Sequence, residues 1–129
     1  MNRIRYWLPA LLWAAIIFYF SAQPAAPQVS KKEDVQLTLQ KLGHATEYAI
    51  LAFLIHRALR RGHQFRPRNA ALAAALLAAA YAVSDEWHQS FVPGRYCMVS
   101  DMAIDTTGGV LTLTALYAYE SRRRPATNR

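Results

Sequence analysis

Seven residues with ionisable side chains lie inside, or at the rim of, apolar stretches that are long enough to cross a lipid bilayer. They are His44, Glu47, Asp85, Glu86, His88, Asp101 and Asp105. Ionisable groups at such depth cost free energy, so they are expected to have partners or a function. Histidine and carboxylate side chains are common carriers of protons in catalysis. The sequence therefore indicates a polar site suited to acid/base chemistry, without identifying the reaction.

Two of these groups form short motifs. Lys41, His44 and Glu47 follow one another at spacings of three, which places them on neighbouring turns of a helix. In the segment Ser84-Asp85-Glu86-Trp87-His88-Gln89, Asp85 and His88 are one turn apart and share a face, whereas Glu86 points elsewhere. We take His44, Glu47, Asp85 and His88 as candidate catalytic residues.

The remaining candidates surround a turn. Arg95 follows the turn signal Pro93-Gly94, and it can either neutralise a carboxylate or hold a substrate phosphate. Asp101 and Asp105 share a helix face that Gly108 continues, so a close helix neighbour is expected there. Both aspartates are candidate catalytic residues. The candidate substrate-binding residues are Lys41, Glu86, Gln89 and Arg95.

Metal and cofactor chemistry is not favoured. Two histidines and several carboxylates could bind Zn²⁺, but Lys41 and Arg95 lie close in sequence and would repel a cation. No compact ligand motif such as H-E-x-x-H is present. Cys97 is the single cysteine, so an internal disulfide and a cysteine-based metal cluster are excluded. We expect no cofactor and no tightly held structural metal.

The elements that must position these residues are four apolar blocks. Extended to the length of about 20 residues that a bilayer requires, they predict spans at about 5–24, 40–59, 69–88 and 102–121. The predicted fold is all-α, an integral membrane four-helix bundle that forms a single domain over residues 1–129. Residues 23–40 are expected to be a solvated loop, with a short amphipathic helix as the alternative.

The basic residues give the orientation. The net charge is +7, and 11 of the 15 Lys and Arg residues would lie on one side of the membrane against 4 on the other. The positive-inside rule predicts a multi-pass protein of the cytoplasmic membrane with both termini in the cytoplasm. Because the basic residues flank apolar runs, membrane lipids are the expected partners, and nucleic acid is not.

Two other interpretations of the apolar blocks remain open. The first block could be a cleaved signal peptide, since Arg3 and Arg5 precede a short apolar run, although no Ala-x-Ala site follows Phe20. The chain could also be a soluble four-helix protein with buried alanine-rich helices. The regular basic residues between the blocks argue against the soluble protein.

Three segments together resemble the VanZ-like family of small membrane proteins. They are KLGHATEYAILAFL at 41–54, SDEWHQSFVPGR at 84–95 and DMAIDTTGG at 101–109, and Phe20-Ser21-Ala22-Gln23-Pro24 also resembles the end of that family's first span. The resemblance covers residues 6–118 with all motifs in order. The family's named member is linked to resistance to the glycopeptide teicoplanin, so the resemblance implies a role in the cell envelope. It supplies no assignment of catalytic residues.

Three functions remain open at this point. The site could be an enzyme that performs acid/base chemistry on an amphiphile such as a lipid-linked envelope intermediate, with His44 or His88 carrying the proton, Glu47 and Asp85 orienting it and Arg95 holding the anion. It could be a binding or transport module that holds a ligand or relays protons. It could also be a structural network that fixes four helices in register. The sequence does not determine the oligomeric state.

Overall fold

The computed structural model describes residues 3–24, 32–95 and 99–123. These ranges contain four helices and no strand, so the prediction of an all-α fold is confirmed. The helices are α1 (Ile4–Ser21), α2 (Glu33–Gly62), α3 (Pro67–Gln89) and α4 (Val99–Arg122).

Side-chain contacts show that consecutive helices run in opposite directions. The Trp7 indole N–H donates to Nε2 of His63 over 2.9 Å, which pairs the start of α1 with the end of α2. Gln89 at the end of α3 donates to Ser21 at the end of α1, so α3 runs parallel to α1. The contacts of His44 with Asp105 and of Arg60 with Glu120 likewise make α4 parallel to α2. The bundle therefore has two different ends. Ser21, His44, Asp85 and Asp105 lie at the polar end, and Arg5, Arg60, Arg68 and Arg122 lie at the basic end.

Small residues allow the helices to pack closely. Four alanines at every fourth position of α3 form a buried stripe: Ala70, Ala74, Ala78 and Ala82. On α4, a Cβ added at Gly108 would overlap the backbone carbonyl of Ala45 on α2. The close helix neighbour predicted at Gly108 is thus confirmed. Backbones that approach this closely are typical of helices held together by van der Waals contacts.

The start of α2 differs from the sequence prediction. Residues 23–40 were expected to form a loop, but α2 begins at Glu33 and continues without a break for 30 residues, a length of about 45 Å. The reason is that residues 33–40 contain neither proline nor glycine, and Val35 and Leu39 lie one turn apart so that the helix face continues. Residues 25–31 lie outside the described residues.

By length and composition, α1 and α3 are candidate membrane spans among the described residues. The helices α2 and α4 are less apolar because they carry His44, Glu47, Asp101 and Asp105 in their polar-end halves. All four helices nevertheless expose large apolar side chains. Examples are Leu11 and Leu12 on α1, Phe53 on α2, Leu76 and Val83 on α3, and Leu111 on α4.

Candidate functional site

A histidine and an aspartate meet between α2 and α4 at the polar end. The His44 Nδ1 and Asp105 Oδ1 atoms are 3.5 Å apart. The Asp105 side chain has no exposed surface, whereas the His44 side chain is 28% exposed. Neither carboxylate oxygen of Asp105 has a hydrogen-bond partner within the described residues. The imidazole therefore stands in front of a buried carboxylate, and its Nε2 atom is the one left to face a ligand.

A second aspartate is held from three helices. Asp85 on α3 accepts at Oδ2 from the Tyr48 hydroxyl of α2 and from the Gln89 amide, each over 3.3 Å. The same Gln89 amide donates to the Ser21 hydroxyl of α1 over 2.7 Å. The other oxygen of Asp85, Oδ1, is buried without a hydrogen-bond partner in the described part of the chain. This network fixes Asp85 in place while leaving one of its oxygens without a hydrogen-bond partner among the described residues.

A cavity of about 280 Å³ reaches His44 and Asp85 from outside the bundle. It is lined by Ile17, Phe20, Ser21, Leu39, Gln40, Gly43, His44, Glu47, Asp85 and Arg95. We call it the polar cavity. Its volume lies near the lower end of the range for small-ligand sites, about 300–1,000 Å³. The side walls from α1 and Leu39 are apolar, and the ionisable residues converge on one region, as in a site for a ligand with a polar head.

Arg95 reaches the cavity from the turn after α3. Its guanidinium NH2 group is 3.5 Å from the carbonyl oxygen of Phe20, near the C-terminus of α1. Gly94 has a φ of +80°, which favours glycine, and lies against the carbonyl of Pro24. Within the described residues Arg95 makes no ion pair with a carboxylate. The guanidinium is therefore available to an anionic ligand.

Six sequence candidates lie outside the cavity lining: Asp105, which stands behind His44, and Lys41, Glu86, His88, Gln89 and Asp101. Lys41 is exposed, and Asp101 is half-buried and accepts a hydrogen bond from the adjacent Ser100. Glu86 is buried. The His88 ring packs against Phe18 with ring centroids 4.5 Å apart, so it faces α1. The expected pairing of a proton carrier with Glu47 or Asp85 is also changed, because Asp105 is the carboxylate within ion-pair distance of His44 in the described chain.

The Gln89 amide is engaged with Ser21 and Asp85, and Gln89 does not line the cavity. Its role in substrate binding stays a prediction. Sequence reasoning left Tyr48 and Ser21 out of the site. A signal for Tyr48 was present, since it follows His44 by four residues and so lies on the same helix face. No signal in the sequence pairs Ser21 with Gln89, because that contact depends on how α1 packs.

The basic end contains a separate polar cluster that sequence reasoning did not identify. The Arg60 Nε group donates to Glu120 over 2.8 Å, and the buried His56 lies 3.9 Å from the other Glu120 oxygen. Arg60 also donates to the carbonyl oxygen of Phe65 over 2.5 Å. These contacts tie the end of α2 to α4 and to the turn before α3.

Within the described residues, no group of three or more histidine, cysteine, aspartate or glutamate side chains has a geometry that could hold a metal ion. The cavity groups can instead supply protons, accept hydrogen bonds and bind an anion. The fold and site together define a small all-α protein with apolar outer faces, two candidate membrane spans and a polar cavity at one end.

A comparison with protein-family models agrees with this class. The chain belongs to the VanZ/LLP1 family, whose model matches residues 6–119. The match includes all four helices except the first two residues of α1 and the last three of α4. It includes every residue that lines the polar cavity. Searches of curated proteins and of solved structures gave no match.

Proposed function

We propose that this protein is a multi-pass membrane enzyme that performs acid/base chemistry on the polar head of a cell-envelope amphiphile, such as a lipid-linked phosphate or sugar. The observation that carries the proposal is the polar cavity, which is open and reaches His44, Glu47, Asp85 and Arg95 together. A purely structural network would be closed, with each carboxylate paired. Here Arg95 has no carboxylate partner among the described residues, and one oxygen of Asp85, which lines the cavity, has no hydrogen bond there.

The membrane location is supported by the outer surface of the bundle. Large apolar side chains are exposed on all four helices, and a soluble protein rarely exposes contiguous apolar patches of that extent. The first helix belongs to the bundle, since Trp13 donates to the carbonyl oxygen of Glu47 over 2.9 Å and Ser21 accepts from Gln89. Removal of α1 as a signal peptide would take away one wall of the cavity.

The orientation follows from the charge distribution. With all four helices spanning, the basic end faces the cytoplasm by the positive-inside rule, and both termini lie there. The polar cavity then opens at the outer headgroup level. An amphiphile in that leaflet would present its head to the cavity and place its chain along the apolar wall formed by Ile17, Phe20 and Leu39.

Each polar group has a role in this scheme. Arg95 binds an anionic group of the head, because a guanidinium can form two parallel hydrogen bonds to a phosphate. His44 transfers the proton through Nε2, and Asp105 behind it holds the ring and stabilises its charged form, as carboxylates do for catalytic histidines. Glu47 and Asp85 accept hydrogen bonds from hydroxyl or amine groups of the ligand.

Transport across the membrane receives less support. The segment between the cavity and the basic end is filled by buried apolar side chains, among them Leu51, Ile55, Ala74 and Leu113. A relay for protons or ions needs polar groups along its path. Within the described residues, the next buried polar group on α2 after Tyr48 is His56, two turns of the helix further on.

The proposal is tested by mass spectrometry of lipids that co-purify with the full-length protein. His44→Ala should still bind the amphiphile through Arg95 but should not convert it, so that it retains more of one lipid species than the wild type does. Arg95→Gln should retain less of that species. Thr46→Ala is the matched control, because Thr46 lies on the same stretch of α2 but is exposed away from the polar cavity.

The outcome also separates the enzyme from a binding module. An enzyme accumulates unconverted substrate in His44→Ala, and addition of the same species to wild-type protein in vesicles yields a new product. A binding module retains the species equally in wild type and His44→Ala and forms no product. An envelope role further predicts that teicoplanin susceptibility changes with the wild-type protein and not with the His44→Ala variant.

A further inference from the structure

A second cavity lies on the outside of the bundle, between α3 and α4. It has a volume of about 300 Å³. Arg68 and Tyr117 line the end of it that is nearer to the basic end, and Ala75 and Val110 line the other end. Along α3, Arg68 and Ala75 are seven residues apart, so the cavity extends for about 10 Å along the helix. We call it the α3–α4 groove, and it shares no residue with the polar cavity.

The walls of the groove suit a hydrocarbon chain. Apart from Arg68, the polar side chains that line it are Thr114 and Tyr117. The Thr114 hydroxyl donates to the carbonyl oxygen of Val110 within α4 over 2.8 Å, which satisfies its donor. The small side chain of Ala75 leaves the space open between the two helices.

The charge at the mouth of the groove indicates which kind of head group would fit there. Arg68 is exposed and makes no ion pair within the described residues. Of the chain's eight Asp and Glu residues, only Glu120 belongs to the basic end, and it is paired with Arg60. The mouth therefore carries an uncompensated positive charge. Basic sites between membrane helices on the cytoplasmic side commonly bind anionic lipid head groups.

We propose that the α3–α4 groove is a binding site for an anionic phospholipid, with the phosphate at Arg68 and an acyl chain between α3 and α4. The assignment of this lipid to the cytoplasmic leaflet rests on the orientation given under the proposed function. The proposal that the lipid binds does not rest on that orientation, because the charge and the shape of the groove are the same in either orientation.

The test uses the full-length protein in detergent and native mass spectrometry with phosphatidylglycerol or phosphatidylcholine of identical acyl chains. The wild type should retain one phosphatidylglycerol about fivefold more readily than phosphatidylcholine, given the contribution of one basic residue near an anionic lipid. Arg68→Gln should remove this preference. Arg61→Gln is the matched control, because Arg61 is exposed at the same end and does not line the groove.

The groove itself is tested from both walls. Ala75→Phe and Thr114→Phe should each reduce retention of both lipids, and Ala80→Phe, on an exposed position of α3 outside the groove, should not. Thr114 is exposed, so at least one filling variant should fold. Equal effects of Arg61→Gln and Arg68→Gln, or unchanged retention in both filling variants, would overturn the proposal. The proposal would also be overturned if the wild type forms a dimer that the filling variants abolish while lipid retention stays the same. The occupant of the groove would then be a second copy of the chain.

This experiment is independent of the polar cavity. His44→Ala should keep the full preference for phosphatidylglycerol, because His44 lies at the other end of the bundle. Loss of the preference in Arg68→Gln alone would support the groove even if no conversion is found at the polar cavity.

Discussion

His44 and Asp105 face each other across the contact between α2 and α4, with 3.5 Å between Nδ1 and Oδ1. The aspartate is completely buried, and both its oxygens lack a hydrogen-bond partner within the described residues. A buried carboxylate without full hydrogen bonding costs folding free energy. Arrangements that destabilise the fold in this way are common at functional sites.

Asp105→Asn should increase the stability of the protein and abolish the conversion of the amphiphile at the polar cavity. The neutral amide is cheaper to bury than a carboxylate, and the attraction to His44 that is lost acts over 3.5 Å without a hydrogen bond. We therefore expect a net gain of about 1 kcal/mol, or a rise of roughly 3–5 °C in the unfolding temperature in detergent. Asp101→Asn is the control, because Asp101 is only half-buried, and it should change stability by less than about 0.5 kcal/mol. A clear loss of stability in Asp105→Asn would instead support a structural network.

Gly108 should be the least replaceable glycine of the described helices. A Cβ at this position overlaps the Ala45 carbonyl, so Gly108→Ala must separate α2 from α4 and should cost about 1–3 kcal/mol. Gly43→Ala is the matched control on α2, since nothing lies within 4 Å of its added Cβ and the helix propensity improves. Thermal unfolding of both variants in detergent measures the difference. Equal stability of the two would contradict the close packing at Gly108.

Glu120 should stabilise the basic end through Arg60. The ion pair is partly exposed, so Glu120→Gln should cost only about 0.5–1 kcal/mol. Asp34→Asn removes an exposed carboxylate in the first turn of α2 and is the control, which should lose only the small interaction with the helix N-terminus, about 0.3 kcal/mol. A double-mutant cycle with Arg60→Gln isolates the pair, and strictly additive effects would show that the two side chains do not interact.

The orientation can be measured with thiol labelling. Native Cys97 lies outside the described residues, between Arg95 and the start of α4 in the sequence, and it should react with an impermeant reagent in intact cells or spheroplasts. An introduced Gln64→Cys, in the exposed turn between α2 and α3, should react only after the membrane is opened. For this measurement, the Gln64→Cys variant also carries Cys97→Ser. The reverse labelling pattern would place both termini outside.

The sequence was sufficient to predict the four helices, because apolar blocks and basic flanks are local signals. It did not predict where α2 begins, since the polar residues after Lys32 suggested a loop although their propensity favours a helix. The close approach at Gly108 was predictable because a small residue continued the Asp101–Asp105 face.

The site was predictable only in part. The residue types at His44, Glu47, Asp85 and Arg95 indicated a site, and these four line one cavity. Which groups pair could not be derived, because pairing depends on the rotation of each helix in the bundle. That rotation brings Asp105 to His44 and turns His88 toward α1.

If the polar cavity acts on an envelope amphiphile, closing the cavity should stop that activity, and Gly43 allows it to be closed selectively. Gly43 lines the cavity and has open space around its Cβ position, so Gly43→Trp should fill the cavity without disturbing helix packing. The most direct measurement is the envelope lipid composition, by mass spectrometry, of cells that produce wild type, Gly43→Trp or Gly43→Ala.

The lipid species altered by the wild type should be altered equally by Gly43→Ala and left unchanged by Gly43→Trp, although Gly43→Trp should unfold within about 2 °C of the wild type. An equal change of that species in cells with Gly43→Trp would show that the chemistry does not occur in the polar cavity.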